Sequence, residues 1–213
     1  MNKAHGQESQ PRSAGSGIAA ILVVVLVCAA GLFWWHRLRT EARAMIPSNE
    51  RSAFTSLWLL AEAEERFRQD DRDGNGVRDY WTLDVRGLFT LLGPTGQPGQ
   101  TALVALIPVD LAAADATQSR SFADRPWPYN GYFFNALDLD EQGAPYAQRT
   151  TPDGDASRSM TKFAFCAFPA DYGRTGVWTY VINEKHELFR VDTGGAPVRR
   201  WGEPHPDAWT PMK

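Results

Sequence analysis

The sequence has few cysteines. Among its 213 residues there are two, Cys28 and Cys166, and Cys28 lies inside a long apolar run. Cys166 is therefore the only thiol in the rest of the chain, which excludes a disulfide within that part. A single thiol does not reveal the redox compartment in which the protein works.

The sequence also lacks an excess of basic over acidic residues. The chain carries 22 Lys and Arg against 25 Asp and Glu, a formal net charge of −3. Nucleic-acid binding needs a basic face that displaces counterions from phosphates. The charge balance therefore predicts that nucleic acid is not a partner.

The common catalytic motifs are absent from the sequence. It contains no Gly-x-Ser-x-Gly, no phosphate-binding glycine loop before Lys-Ser/Thr and no His-Glu-x-x-His. Cys166 and His186 are a conceivable thiol and base. However, Cys166 lies between Phe165 and Phe168 in a predicted strand, where a buried and inert cysteine is expected. We predict that the protein is not an enzyme and has no catalytic residues.

What the sequence does contain is one long apolar segment. Residues 18–35, IAAILVVVLVCAAGLFWW, include no charged side chain. As a helix they rise about 27 Å, close to the bilayer core of about 30 Å. The segment ends in Trp34 and Trp35, and Arg37 and Arg39 follow, which is typical of a membrane interface. The pattern predicts a single transmembrane helix.

Other interpretations of this segment fit less well. A cleaved signal peptide would have a shorter core and a nearer cleavage site than residues 42–44, although it stays an alternative. A lipoprotein site at Cys28 would need a small residue in place of Val27, and a buried core helix would rarely lack all polar residues. The orientation is open to two arguments. Basic residues after the segment favour a cytoplasmic domain, whereas a short leader before a long domain favours export, which we prefer.

The rest of the chain predicts an α+β domain. We divide the sequence into a polar leader (1–17), a transmembrane helix (18–35), a juxtamembrane segment (36–47) and an extracytoplasmic domain (48–213). Pro47 is expected to interrupt the helix and Ser48 to cap an amphipathic helix that ends at residue 69. A short helix is expected at 81–92. Strand patterns follow at 132–137, 162–168, 177–182, 187–192 and 198–201, with a hairpin turn at 183–186 and an extended tail. Helices followed by closely spaced strands predict an antiparallel sheet.

Two stretches resemble bacterial type IV pilins and the pseudopilins of type II secretion. They are Gly17-Ile-Ala-Ala-Ile-Leu-Val-Val-Val-Leu and the segment that begins Asn49-Glu50-Arg-Ser-Ala-Phe. The resemblance implies a pilin-like fold, an anchor in the bacterial inner membrane and a non-enzymatic role in contact with other pilin-like or secretion-system subunits. The sequence departs from assembling pilins at the fifth position after Gly17, where Leu22 replaces a glutamate.

One local motif predicts a metal site. In DRDGNGVRD, oxygen-bearing groups recur at Asp71, Asp73, Asn75, Val77 (through its carbonyl) and Asp79. Their spacing, with Gly76 at the sixth position, matches the first half of a calcium loop. Thr82 stands at the twelfth position in place of the bidentate glutamate, and Asp84 is a conceivable substitute. The alternative is a turn rich in Asp, Asn and Gly that binds no metal.

Two functional hypotheses follow from these features. The first is a pilin-like or pseudopilin-like protein, anchored in the membrane, that acts through protein–protein contacts in the cell envelope. The second is an anchored extracytoplasmic module that binds a ligand and is stabilised by calcium.

Overall fold

The computed structural model describes residues 15–117 and 126–212, and omits the side chains of residues 15–24, 36 and 38–43. Most of the predicted leader, and the side chains of residues 18–24 in the predicted span, therefore lie outside the description. The chain forms two units, Met1–Glu41 and Ala42–Lys213. Among the residues that the structure describes, none of the helices combines the length and the hydropathy that a membrane span requires.

The first helix, α1, runs from Gly15 to Asp70 and includes Pro47. The expected interruption at Pro47, with a new start at Ser48, was wrong. A proline inside a helix removes one backbone hydrogen bond and costs about 3 kcal/mol. Tertiary contacts on its C-terminal side offset this cost, because Leu57, Leu60 and Phe67 are fully buried in the core.

Short elements follow α1. They are β1 (Tyr80–Trp81), α2 (Gly87–Thr90), β2 (Leu92–Pro94), β3 (Thr101–Leu103), α3 (Val109–Ala113), β4 (Tyr132–Ala136), β5 (Arg158–Ser159), β6 (Ala164–Pro169), β7 (Thr179–Asn183), β8 (Leu188–Val191), a 3₁₀ turn (Pro206–Ala208) and β9 (Thr210–Met212). The helix expected at 81–92 is reduced to α2. Asp84 Oδ1 accepts hydrogen bonds from Trp81 Nε1 at 3.0 Å and from Gly87 N at 2.7 Å, and these bonds hold a turn there.

The main sheet has five antiparallel strands in the order β4-β6-β7-β8-β9. This confirms the predicted α+β class with an antiparallel sheet. The β7–β8 hairpin is also confirmed, and His186 in its turn takes a left-handed φ of 58°. The strand expected at 198–201 is wrong, because that segment forms only an isolated bridge between Leu139 and Arg200. The fifth strand, β9, comes instead from the tail.

Both faces of this sheet are covered. On one face, Phe134, Phe165 and Ile182 join the core that contains the buried residues of α1. On the other face, Cys166 and Val181 belong to a second cluster that includes Val198 and packs against Trp201 and Trp209. Because both faces are buried, every residue of β6 and β7 is buried.

Candidate functional site

The motif that predicted calcium lies at the C-terminal end of α1 and leads into β1. We call residues 71–79 the acidic loop. Asp71 adopts a left-handed φ of 47°, and Arg72 N donates to Phe67 O at 3.1 Å, which ends the helix. Gly74 and Gly76 also have positive φ, of 69° and 81°. Aspartate and glycine tolerate this left-handed backbone region, so the loop can turn tightly.

Asp71 and Asn75 organise the backbone of the acidic loop. Asp71 Oδ2 accepts from Gly76 N at 3.1 Å, and Asn75 Oδ1 accepts from Val77 N at 2.6 Å. The other oxygen of Asp71, Oδ1, is buried and has no hydrogen-bond donor in the described part of the chain. A buried acceptor without a donor costs free energy, so this oxygen requires an explanation.

Asp73 is paired with a positive side chain from a distant strand. Arg158 in β5 donates from Nε to Asp73 Oδ2 at 2.6 Å, and the Asp73 side chain is only 6% exposed. Asn75 Nδ2 donates to the same oxygen at 3.0 Å. The Arg158 guanidinium also lies over the Trp81 ring, 5.2 Å from its centroid. Arg158 therefore supplies the cation of the acidic loop in this structure.

Asp79 is the most enclosed carboxylate of the acidic loop, with 1% of the residue exposed. Its Oδ2 accepts from the Thr150 hydroxyl, whereas its Oδ1 is buried without a donor among residues 15–117 and 126–212. Burial raises the pKa of Asp79, and the nearby negative charge of Asp73 raises it further. Asp79 is thus a desolvated carboxylate, and one of its two oxygens has no hydrogen-bond donor among the described residues.

Asp71, Asp73, Asn75, Val77 and Asp79 all lie in the acidic loop, where Asn75 donates to Asp73 and the negative charge of Asp73 acts on Asp79. Thr82 and Asp84, the two candidates for a twelfth ligand, form their hydrogen bonds with residues outside the acidic loop. Thr82 Oγ1 donates to Ser157 O, and Asp84 is held by Trp81 and Gly87. In the described ranges, no three Asp, Glu, His or Cys side chains are grouped as a metal-ion site.

Sequence reasoning missed three residues beside this loop. Arg158 is 85 positions from its partner Asp73, and Thr150 is 71 positions from its partner Asp79. No local sequence pattern predicts these contacts. Glu64 was also missed, although it shares the apolar stripe of Leu57, Leu60 and Phe67. Glu64 is fully buried, its Oε2 accepts from Trp81 N at 2.9 Å, and burial raises its pKa well above 4.5.

The two residues considered as a thiol and base lie in different surroundings. The Cys166 thiol accepts from Val198 N at 3.4 Å within the second core cluster, and burial raises its pKa to about 12. The His186 ring packs edge-on against Trp58 of α1, with centroids 5.2 Å apart. Each side chain thus has a packing role of its own.

A surface cavity of about 560 Å³ lies between β8 and the 200–209 segment. Its aromatic wall is formed by Phe189, Trp201 and Trp209, and the two indole rings meet at 4.9 Å. Glu141 and Arg200 also line it. An apolar wall with a few polar groups is the usual make-up of a ligand site.

Comparison with known proteins places the chain in a family. No curated protein matches the sequence significantly, and no solved structure does either. A family described as "Protein of unknown function (DUF2950)" matches residues 38–203. The matched range includes the acidic loop and all strands of the main sheet except β9. Since it covers well over half of the sequence, this chain belongs to the DUF2950 family.

Proposed function

We propose that this chain is a non-enzymatic protein anchored in the bacterial inner membrane, whose domain outside the cytoplasm acts through protein–protein contacts. The role is that of a pilin-like or pseudopilin-like subunit that is not built into a filament. The observation that carries the proposal is one continuous helix, Gly15–Asp70, whose C-terminal part packs on an antiparallel sheet. The apolar run at its N-terminal end and the absence of a glutamate at Leu22 support an anchor without filament assembly.

The Asn49-Glu50 pair of the pilin-like segment has a defined role in this packing. Asn49 Nδ2 donates to Thr175 O at 2.9 Å, and Glu50 Oε1 accepts from Val177 N at 3.0 Å. These bonds tie α1 to the segment before β7. A fixed helix presents its opposite side to solvent in a constant position, which suits a contact surface.

That opposite side is a narrow exposed stripe. At 100° per residue its members fall within about 60° of one another around the helix axis. They are Arg51, Thr55, Glu62, Arg66 and Gln69, all exposed. Positive and negative side chains alternate along the stripe. We propose this stripe as the surface that meets another envelope subunit.

Membrane anchoring is tested first. The full chain is produced in a bacterial host, membranes are washed with alkaline carbonate, and the intact mass of the retained protein is measured. We expect the full chain in the membrane pellet with residues 1–17 still attached. A soluble product, or a mass that corresponds to cleavage near residues 42–44, would contradict the anchor.

The contact role is tested by cross-linking in living cells. A photoreactive amino acid replaces Glu62 on the exposed stripe, and in a matched control it replaces the exposed Asp153. We expect a discrete adduct with another envelope protein from position 62 and none from position 153. Equal labelling at both positions, or no adduct at position 62, would remove the support for a contact surface on α1.

The aromatic cavity favours a second candidate function, an anchored module that binds a small ligand outside the membrane. Half-buried indole rings with nearby charged groups suit the faces of sugar rings. The test is pelleting of the full chain with purified peptidoglycan, compared between the parent and Trp201→Ala. Trp127→Ala is the control, because Trp127 is exposed and does not line this cavity. Retention by the parent that Trp201→Ala alone loses would support this candidate over the first.

A further inference from the structure

A second, smaller cavity adjoins the aromatic cavity. It measures about 120 Å³, and Glu141 and Trp201 line both cavities, which are therefore neighbours that share one indole ring. The remaining walls differ in chemistry. Phe189 and Trp209 line only the aromatic cavity, whereas the smaller one, which we call the polar cavity, is lined mostly by polar and charged side chains. A ligand that fills both cavities needs two chemically different parts.

One pair of charges in the polar cavity is already satisfied within the protein. Lys162 Nζ donates to Asp140 Oδ2, and Asp140 Oδ1 accepts from Ala144 N at 2.8 Å. The Asp140 side chain is buried. A buried ion pair with its hydrogen bonds in place leaves little charge for a ligand. The charges that can meet a ligand therefore belong to the rest of the lining.

These available charges lie on the turn between β7 and β8. Glu184, Lys185 and Glu187 all line the polar cavity. Lys185 and Glu187 are exposed, and Glu184 is half-buried. Both signs of charge thus occur within four consecutive positions. A chain that carries a carboxylate and an ammonium finds a counter-charge for each group here.

The turn that carries these charges is held in place at several points. Asn183 Oδ1 accepts from Lys185 N at 3.1 Å and from Glu187 N at 3.0 Å, and Asn183 Nδ2 donates to Glu187 Oε2 at 2.9 Å. The His186 ring packs edge-on against Trp58. A turn that is fixed in advance loses little conformational freedom when a ligand binds. The charges are therefore arranged before the ligand arrives.

The indole ring that the two cavities share is fixed as well. Trp201 N donates to Leu139 O at 2.9 Å, and the ring meets Phe189 edge-on, with centroids 5.7 Å apart. Trp201 is only half-buried, so part of its ring is available to a ligand. A sugar ring suits this position, because it has an apolar face for the indole and hydroxyls for the nearby Glu141 and Arg200.

We propose that the two cavities form one site for a sugar that carries a charged peptide chain, as in a glycopeptide fragment of the bacterial cell wall. The sugar lies in the aromatic cavity against Trp201. The first part of the chain lies in the polar cavity, where Lys185 binds a carboxylate and Glu187 binds an ammonium. This inference rests on the second candidate function, ligand binding at the aromatic cavity, and adds the class of the ligand.

Binding is measured by calorimetric titration of the full chain in detergent with three soluble fragments of peptidoglycan. They are a disaccharide that carries its peptide, the same disaccharide without the peptide, and the free peptide. We expect the disaccharide-peptide to bind about tenfold more tightly than either part, because two linked parts share one loss of translational freedom. Equal affinity of the two disaccharides, or no binding of the disaccharide-peptide, would overturn the inference.

The polar cavity is tested separately through Lys185. Lys185→Gln removes its charge at an exposed turn position, which preserves the fold, and Lys185→Arg keeps the charge. We expect Lys185→Gln to bind the disaccharide-peptide about threefold more weakly than the parent, because the lost ion pair is exposed, and to bind the plain disaccharide equally well. Lys185→Arg should match the parent. The control is Arg149→Gln, since Arg149 is exposed and lines neither cavity.

The outcome of the Lys185 variants decides the role of the polar cavity. Parent-like affinity of Lys185→Gln for the disaccharide-peptide, or an equal loss in Arg149→Gln, would overturn that role. Failure of this inference can also be separated from failure of the second candidate function. If the parent pellets with peptidoglycan and binds both disaccharides equally, ligand binding at the aromatic cavity stands and the combined site falls. If the parent neither pellets nor binds any fragment, both fall.

Discussion

Glu64 Oε2 accepts a hydrogen bond from the backbone N–H of Trp81 at 2.9 Å, and this bond links the buried face of α1 to the first strand. The other carboxyl oxygen of Glu64 is buried without a donor in the described parts of the chain. A fully buried carboxyl group with one such bond is more stable protonated than charged. The stability of the domain is therefore linked to pH through this residue.

We predict that Glu64→Gln stabilises the protein at neutral pH. Burial raises the pKa of Glu64 well above 4.5, so the folded chain keeps a proton that the unfolded chain releases. The free energy of unfolding therefore falls as pH rises from about 4.5 toward the folded pKa. Glutamine removes this loss, and the variant is expected to exceed the parent at pH 7 but not at pH 4. Urea unfolding in EDTA at several pH values measures the difference, which would be independent of pH if the prediction is wrong. Glu62→Gln, on the exposed face of α1, is the control.

The close approach of two backbones predicts the effect of Gly93→Ala. A Cβ at Gly93 would lie 1.9 Å from the carbonyl oxygen of Arg72 in the acidic loop. Because the obstructing atom is backbone, it cannot rotate away, and we expect unfolding free energy to fall by about 3 kcal/mol. In the control, Gly154→Ala, the short contact of the new Cβ is with the Thr151 hydroxyl, which can move, and the nearest backbone atom is at an ordinary distance of 3.7 Å. Thermal melts of both variants check the prediction, and equal effects would contradict it.

The aromatic cluster at the cavity predicts unequal effects for two tryptophans. Trp209 lies 4.9 Å from Trp201 and 5.6 Å from Phe189 between ring centroids. Trp209→Ala removes these contacts and loosens the start of β9, and we expect a loss of about 2 kcal/mol. Trp127 is 77% exposed, and Trp127→Ala is expected to change stability by less than about 0.5 kcal/mol. Denaturant midpoints compare the two, and similar losses would show that burial at Trp209 does not matter.

Cys166 is predicted to resist alkylation in the folded protein. Its thiol is fully buried, and a pKa of about 12 leaves almost no thiolate at pH 8. Iodoacetamide should therefore modify Cys166 only when denaturant is present. Peptide mass mapping separates this site from Cys28, and rapid modification of Cys166 without denaturant would contradict the buried placement.

The part of the fold that follows from local pattern was predictable. Aromatic and β-branched segments gave four strands of the main sheet and the β7–β8 hairpin, since element type depends on periodicity within a few residues. Tail segment 210–212 carries no such pattern. It becomes β9 only because β8 has a free edge beside it. The continuation of α1 through Pro47 likewise depends on tertiary contacts, which cannot be predicted from the helix preferences of individual residues.

Some features of the acidic loop likewise follow from local sequence, and others depend on contacts with distant segments. The spacing of Asp71, Asp73, Asn75 and Asp79, and the glycines that let the chain turn, can be read directly from the order of the residues. That Arg158 neutralises Asp73 and that Thr150 bonds to Asp79 follows from the folded arrangement of distant segments. Turn geometry is set by neighbouring residues, whereas the burial and charge partners of a carboxylate depend on which distant segments fold against it.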